Sequence, residues 1–362
     1  MRIAQIAPLY EAVPPTKYGG TERVIAALCD GLVTLGHDVT LFAAATSATK
    51  ARLVETSPHP LRERMDRDAM LRVAPHLHLS MLASVYERAS EFDVVHSHAD
   101  LWTLPFAASC ATPTVLTLHG RLDVPEVLQT LPLYPRTPLV SISEEQRRPL
   151  DDADVRWIAT VHNGLDLRRY ESAGRAPGRG DHLAFVGRIS SEKGPLTAVE
   201  VAARAGRRLQ VAAKIDPLDA AYFAAEVEPV FASHDVDFVG EIGEAQKPEF
   251  YSLAAATLFP SDWPEPFGLV MIESMAAGTP VIALRRGAVP EVVVDGRTGF
   301  VCDDVDEMVE AVGRLGEIDP EDCRRQAARF DTSTMAARYA AVYRTLRSRH
   351  LDGPPLQLQE AS

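Results

Sequence analysis

Arg188 and Lys193 stand five positions apart behind a glycine, in the run Phe185-Val186-Gly187-Arg188-Ile189-Ser190-Ser191-Glu192-Lys193-Gly194. A guanidinium grips phosphate oxygens bidentately, and an ammonium adds a mobile point charge. The pair suits a diphosphate whose charge grows as a bond to it breaks. Two solvated surface cations are the plain alternative. Glu265 and Glu273 lie eight positions apart in Pro260-Ser261-Asp262-Trp263-Pro264-Glu265-Pro266-Phe267-Gly268-Leu269-Val270-Met271-Ile272-Glu273. Helical patterning from Gly268 to Ala277 puts Glu273 more than a turn inside a helix and Glu265 in the loop before it. The two carboxylates can then contact two parts of one ligand, with backbone N–H groups of Gly268, Leu269 and Val270 facing a phosphate. Carboxylates also suit sugar hydroxyls. Acid/base work by the pair is open, as is a structural role for Glu273 in capping a loop. A third segment, Tyr18-Gly19-Gly20-Thr21-Glu22, offers paired glycines before a helix start, where backbone approaches an anion closely. A bland tight turn is equally compatible with it.

These groups must be held by an alternation of strands and helices. Arg2 to Ala7 reads as a buried strand, Thr21 to Leu35 as a one-faced helix, and Asp38 to Ala43 as the next strand. Continuous apolar strands separated by helices mean a parallel α/β sheet. Residues 50–80 read as a solvated, mixed-charge face, followed by a helix from Ser80 to Ala89. Four later runs each deliver polar groups past a strand end: His96-Ser97-His98, His119-Gly120, Ser141-Ile142-Ser143 and His162-Asn163-Gly164. In open parallel sheets that edge is where ligands bind. His96 and His98 share one face of an extended segment, so zinc with His119 is conceivable, but no fourth ligand is apparent and packing or acceptor contact is preferred.

Residues 173–181, rich in Gly, Pro and Arg, read as a linker between a first domain at 1–172 and a second at 182–331. In the second, strands are expected at His182–Val186, Leu209–Ala213, Val236–Val239, Thr257–Phe259, Pro280–Ala283 and Gly299–Val301. Helices are expected at Pro195–Ala205, Ala220–Phe231, Glu244–Ala255, Leu269–Ala277, Val305–Leu315 and Thr332–Arg349, before a frayed tail at 351–362.

The chain has 362 residues, 37 basic against 50 acidic, and a formal net charge of -13, which argues against a nucleic-acid polymer as partner. Four scattered cysteines show no metal or redox spacing, and neither a signal peptide nor a membrane-spanning run is evident. A cytoplasmic setting is expected, with peripheral membrane contact left open.

Taken together, Gly187-Arg188…Lys193-Gly194, Glu265-Pro266-Phe267-Gly268-Leu269-Val270…Glu273 and Ala277-Gly278-Thr279-Pro280-Val281-Ile282-Ala283 resemble the retaining glycosyltransferases of family 4. Gly287, Pro290-Glu291-Val292-Val293 and Asp295-Gly296…Thr298-Gly299-Phe300 continue the likeness, as do Leu118-His119-Gly120 and His162-Asn163-Gly164-Leu165-Asp166. The resemblance implies a GT-B fold, two Rossmann-like parallel-sheet domains facing across a cleft, with a final helix at 332–350 crossing back to the first. It implies a nucleotide-sugar donor and retention at the anomeric carbon, with no metal or other cofactor. By the same likeness Arg188 and Lys193 meet the donor phosphates, Glu265 the transferred sugar, Glu273 the ribose and His119 the reaction centre. Gly19, Gly20, Gly187, Phe267, Gly268, Leu269 and Val270 would border the donor, and the base would rest near Ile242. The acceptor, a small molecule, glycan or lipid-linked sugar, would meet Tyr18, His98 and Asn163, with loop packing the preferred alternative for Tyr18. The prolines flanking Glu265 depart from the pattern and should stiffen its loop. A uridine donor is preferred, with guanosine and mannose second. An epimerase of this fold and a sensor without turnover are the rivals.

Overall fold

The computed structural model describes residues 1–17, 19–170 and 180–352. Tyr18 and most of the linker expected at 173–181 lie outside the described residues, as does the end of the tail.

The first sheet runs through β1 (Arg2–Ile6), β2 (Asp38–Ala44), β3 (Arg52–Ser57), β4 (Val94–Ser97), β5 (Thr114–Thr117), β6 (Pro138–Ser141) and β7 (Arg156–Thr160). All of its pairings are parallel, in the order β3-β2-β1-β4-β5-β6-β7. Side chains alternate across a strand. Ile3, Val39 and Leu41 therefore enter one buried cluster with the helix Gly20–Thr34, while Ala4, Ile6 and Phe42 enter another with the helix Arg67–Glu87. Covering both faces is what makes the strands read as unbroken apolar runs.

The second sheet takes β8 (Leu183–Arg188), β9 (Leu209–Lys214), β10 (Val236–Gly240), β11 (Ala256–Phe259), β12 (Val281–Leu284) and β13 (Gly299–Cys302), in the order β10-β9-β8-β11-β12-β13. Strand order reverses between β1 and β4 in the first sheet and between β8 and β11 in the second. Such switch points open a crevice at the carboxyl ends of the strands. Gly19-Gly20 and His98 follow β1 and β4; the Arg188–Lys193 loop and Glu265 follow β8 and β11.

Several elements differ from the sequence expectation. Residues 50–80 carry the edge strand β3, and the next helix starts at Arg67 rather than Ser80, where the Asp66 carboxylate accepts the Ala69 N–H at 2.8 Å. The edge strand is only half covered, so its charges masked it. The helix expected at Ala220–Phe231 is interrupted by a π-helical turn at Phe223–Val227, just ahead of Pro229, which lacks a backbone donor. An unforeseen helix, Pro320–Ala327, buries only Cys323, Gln326 and Ala327.

The last helix, Thr332–Asp352, packs on Gly20–Thr34 of the first domain. A Cβ at Gly31 would come within 2.7 Å of Ala336 Cβ, so glycine permits this close approach. Where the chain crosses back, Leu165 N–H donates to Phe330 O and Thr332 N–H to Leu165 O, both at 3.0 Å. Among the described residues, no helix is long and apolar enough to cross a membrane.

Candidate active site

Loops from both domains line one cleft of about 600 Å³. All of the site residues inferred from the sequence border it, except Tyr18, which lies outside the described residues.

On the second-domain wall, the Arg188 guanidinium meets Glu192 at 2.7 Å and Asp219 at 3.2 Å. Burial raises the Asp219 carboxyl above its ordinary range, with Arg188 opposing. Lys193 pairs with the Glu265 carboxylate and lies 4.6 Å over the Trp263 ring, whose Nε1–H donates to Glu265 at 2.7 Å. Gly194, at φ 70°, fixes this loop against the next, since a Cβ there would lie 2.4 Å from Pro260 O. Gly287, at φ 53°, lies under Glu265, where a Cβ would meet its backbone at 2.3 Å. Gly268 opens the helix Leu269–Ala276 at φ 86°, so that helix presents its first N–H groups to the cleft.

Two glycines have no such structural duty. A Cβ at Gly20 would meet only Leu269 Cδ1, at 3.6 Å, and one at Gly187 only the Phe185 ring, at 3.9 Å. Glycine inside a strand such as β8 otherwise weakens it and marks close approach by another molecule. Gly187→Ala and Gly20→Ala are expected to change stability by less than about 1 kcal/mol. Donor KM is expected to rise at least tenfold in each. Unchanged donor KM in steady-state kinetics of the two variants would remove both glycines from the donor site.

Glu273 is buried, and its two oxygens accept from Lys247 Nζ at 2.7 Å and Tyr251 OH at 2.8 Å. Burial would raise its carboxyl, but Lys247 and Arg23 hold it below the ordinary value. Arg23 reaches across from the first domain, 2.8 Å from Glu244 and 3.6 Å from Glu273. A ribose contact by Glu273 would thus use the lone pairs these partners leave. Arg23, Lys247 and Tyr251 were not singled out from the sequence. Their only signal was that Arg23 follows the glycine turn by three residues.

On the first-domain wall, His119 Nε2 and His98 Nδ1 are 2.8 Å apart, and His98 Nε2 is 3.0 Å from Gln5 Oε1. Both His98 nitrogens are therefore taken within the protein, and His98 braces His119 while its ring borders the cleft. Burial holds His98 and His96 well below the usual histidine value and brings His119 down to about 4, so all three are neutral near pH 7. Both nitrogens of His96 and of His98 are taken, by Tyr343, Thr117, Gln5 and His119, while His119 engages only its Nε2. Asn163 is 4 % exposed and its Oδ1 accepts no hydrogen bond. An unmet buried acceptor costs about 1–3 kcal/mol, which a ligand hydroxyl would recover.

Beyond His119 this wall carries Tyr10, Trp102, Arg62, Asp100 and Glu22. The His78 ring lies between the Tyr10 and Trp102 rings, at 5.1 and 4.4 Å, and Arg62 lies 5.8 Å over Tyr10. Asp100 holds φ 58°, the one positive φ outside glycine among the described residues. Burial lifts the Glu22 carboxyl to about 7.

Two parallel α/β domains facing across a cleft, with cations on one wall and hydroxyl-accepting groups on the other, define a glycosyltransferase of the GT-B class. Residues 18–169 match Glycosyltransferase Family 4 and residues 169–329 match Glycosyl transferases group 1; the chain belongs to this family. It is 26 % identical to a glycogen synthase of Mycobacterium tuberculosis, covering 95 % of this chain and 94 % of that one. It is 29 % identical to a D-inositol 3-phosphate glycosyltransferase of Streptomyces avermitilis, covering 78 % of this chain and 72 % of the relative. Among solved structures, AviGT4, a glycosyltransferase involved in avilamycin A biosynthesis, superposes with a TM-score of 0.72 at 26 % identity, covering 96 % of this chain and 98 % of that one.

Proposed function

We propose that the enzyme moves a hexosyl group from a nucleoside diphosphate sugar to a hydroxyl of a carbohydrate-like acceptor, with retention at the anomeric carbon and without a metal. The observation that carries this reading is the meeting of Arg188, Lys193, Glu265, the Gly268 helix start and His119 in one cleft. As the bond from the anomeric carbon to the phosphate oxygen breaks, the diphosphate gains charge, which Arg188 and Lys193 offset. The acceptor oxygen attacks from the same face, and its proton passes to the departing phosphate oxygen. Glu192, Asp219 and Glu265, which hold the two cations in the free enzyme, yield part of that contact to the phosphates. Ile242 and the neighbouring backbone seat the base. A uridine donor is the first candidate and a guanosine donor carrying mannose the second.

The acceptor reading rests on the Tyr10 and Trp102 rings beside the Asp100 and Glu22 carboxylates. Sugar C–H faces lie on aromatic rings while hydroxyls donate to carboxylates. Trp102→Ala is expected to raise acceptor KM about tenfold, equivalent to roughly 1.4 kcal/mol, with donor KM unchanged. Equal effects on both substrates would remove Trp102 from the acceptor site.

The deciding experiment is a thermal-shift screen of the protein against uridine, guanosine and adenosine diphosphate sugars, followed by turnover with the donor that binds. Stabilisation at a hundredfold excess over Kd is about 2.7 kcal/mol. The product anomer read by NMR tests retention, and turnover in excess chelator tests metal independence. Conversion of donor with no acceptor present would favour an epimerase.

A further inference from the structure

A single hydrogen-bonded line leaves the cleft at His119 and ends on the last helix. His119 Nε2 meets His98 Nδ1 at 2.8 Å, His98 Nε2 meets Gln5 Oε1 at 3.0 Å, and Gln5 Nε2–H donates to Tyr343 OH at 3.0 Å. From there Tyr343 OH meets His96 Nδ1 at 2.7 Å, His96 Nε2 meets Thr117 Oγ1 at 2.8 Å, and Thr117 Oγ1 meets Tyr339 OH at 3.0 Å. Gln5, His96, Thr117, Tyr339 and Tyr343 are each no more than 1 % exposed, so water does not substitute for a missing partner.

A neutral imidazole carries one N–H and one lone pair, which makes the line directional. Gln5 gives its N–H to Tyr343 and turns its oxygen to His98, so His98 carries its proton on Nε2 and offers a lone pair at Nδ1. His119 must then donate from Nε2, which leaves its Nδ1 bare. Tyr343, accepting from Gln5, donates to His96 Nδ1, and His96 passes its Nε2–H to Thr117. One proton occupies each link. Turning the Gln5 amide over would reverse the links to His98 and His119 and move the His119 proton to Nδ1, so the amide selects between two states of His119.

We propose that Gln5 and Tyr343 are positioning residues that hold His119 as its Nε2–H tautomer, presenting Nδ1 to the cleft as an acceptor for a hydroxyl of the transferred sugar. This rests on the glycosyl-transfer reading for its ligand but not for its tautomer. The final helix, whose Tyr343 does not line the cleft, thereby selects which hydrogen-bonding partner the reaction centre will take. A donor lacking that hydroxyl would leave Nδ1 unmatched and turn over more slowly.

The test is ¹⁵N imidazole NMR of the whole, ligand-free protein at pH 7.5, with the His119 signals assigned by their loss in His119→Gln. The expected pattern is a protonated Nε2 and an unprotonated Nδ1 on His119. Tyr343→Phe frees the Gln5 amide, so the two tautomers should become mixed and kcat/KM should fall about tenfold. Tyr339→Phe removes an equally buried hydroxyl that does not touch Gln5, and should leave the His119 tautomer in place with kcat/KM within about threefold. A wild-type His119 protonated on Nδ1 overturns the proposal. So does a Tyr343→Phe variant with an unchanged tautomer, or equal losses in the two Phe variants. Absence of transferase activity with every donor would instead sink the functional reading, while the tautomer result stood.

Discussion

Arg188→Ala and Lys193→Ala are each expected to lower kcat by about a hundredfold, the usual consequence of removing one donor aimed at developing charge, roughly 3 kcal/mol. Both side chains are already paired in the free enzyme, Arg188 with Glu192 and Asp219 and Lys193 with Glu265. Their removal therefore also leaves carboxylates facing the diphosphate, and like charges there deepen the loss. Glu192→Gln, which withdraws one competing carboxylate while leaving Arg188 in place, should lower donor KM. The check is steady-state kinetics on folded variants. Near-normal turnover in both alanine variants would detach the two cations from catalysis.

Stability is expected to fall as pH drops below 6.5. His96, His98 and His119 have folded values below the unfolded one, so the unfolded chain takes up protons that the native chain refuses. The stability they contribute is complete above pH 6.5 and is lost as pH falls toward about 4, the value to which His119 is brought. For His119 the shift corresponds to about 3 kcal/mol. Glu22 acts in the opposite sense. Its folded value, about 7, lies above the ordinary 4.5 of a glutamate, so its contribution is complete below pH 4.5 and lost as pH rises toward 7. The two single groups roughly cancel between pH 4.5 and 6.5, and His96 and His98 decide the sign. A net uptake of protons on unfolding is expected near pH 5, read from the pH dependence of Tm. Glu22→Gln should steepen that dependence and raise Tm above pH 7. A flat Tm between pH 4.5 and 6.5 would show that the histidines are protonated in the native state.

Much of the donor wall was legible because its residues sit close together in sequence: Gly187 to Gly194 and Glu265 to Glu273 each form one loop and one helix start. Strand ends predicted from apolar runs likewise delivered His98, His119 and Asn163 to the cleft. What supports these groups was not legible. Gln5 and Tyr343 are 338 positions apart, and Arg23 meets Glu273 across the domain boundary, so no local period connects them. Packing and acceptor contact stayed open for His98 because a strand-end histidine and a bracing histidine share the same spacing. The edge strand β3 was hidden for a different reason: half-exposed strands keep charges that read as surface.

The return of the last helix to the first domain bears on how the polypeptide is made. Gly31, Leu28 and the underside of β1 and β4 face the surface that Ala336, Tyr339 and Tyr343 eventually fill. On the ribosome that surface stays uncovered until the whole second domain has been synthesised, and Gln5 Nε2 and His96 Nδ1 wait for Tyr343 over the same interval. The first half of the nascent chain thus carries an apolar face with a polar seam, exposed to chaperones and to premature self-association. Vectorial synthesis completes the N-terminal domain last.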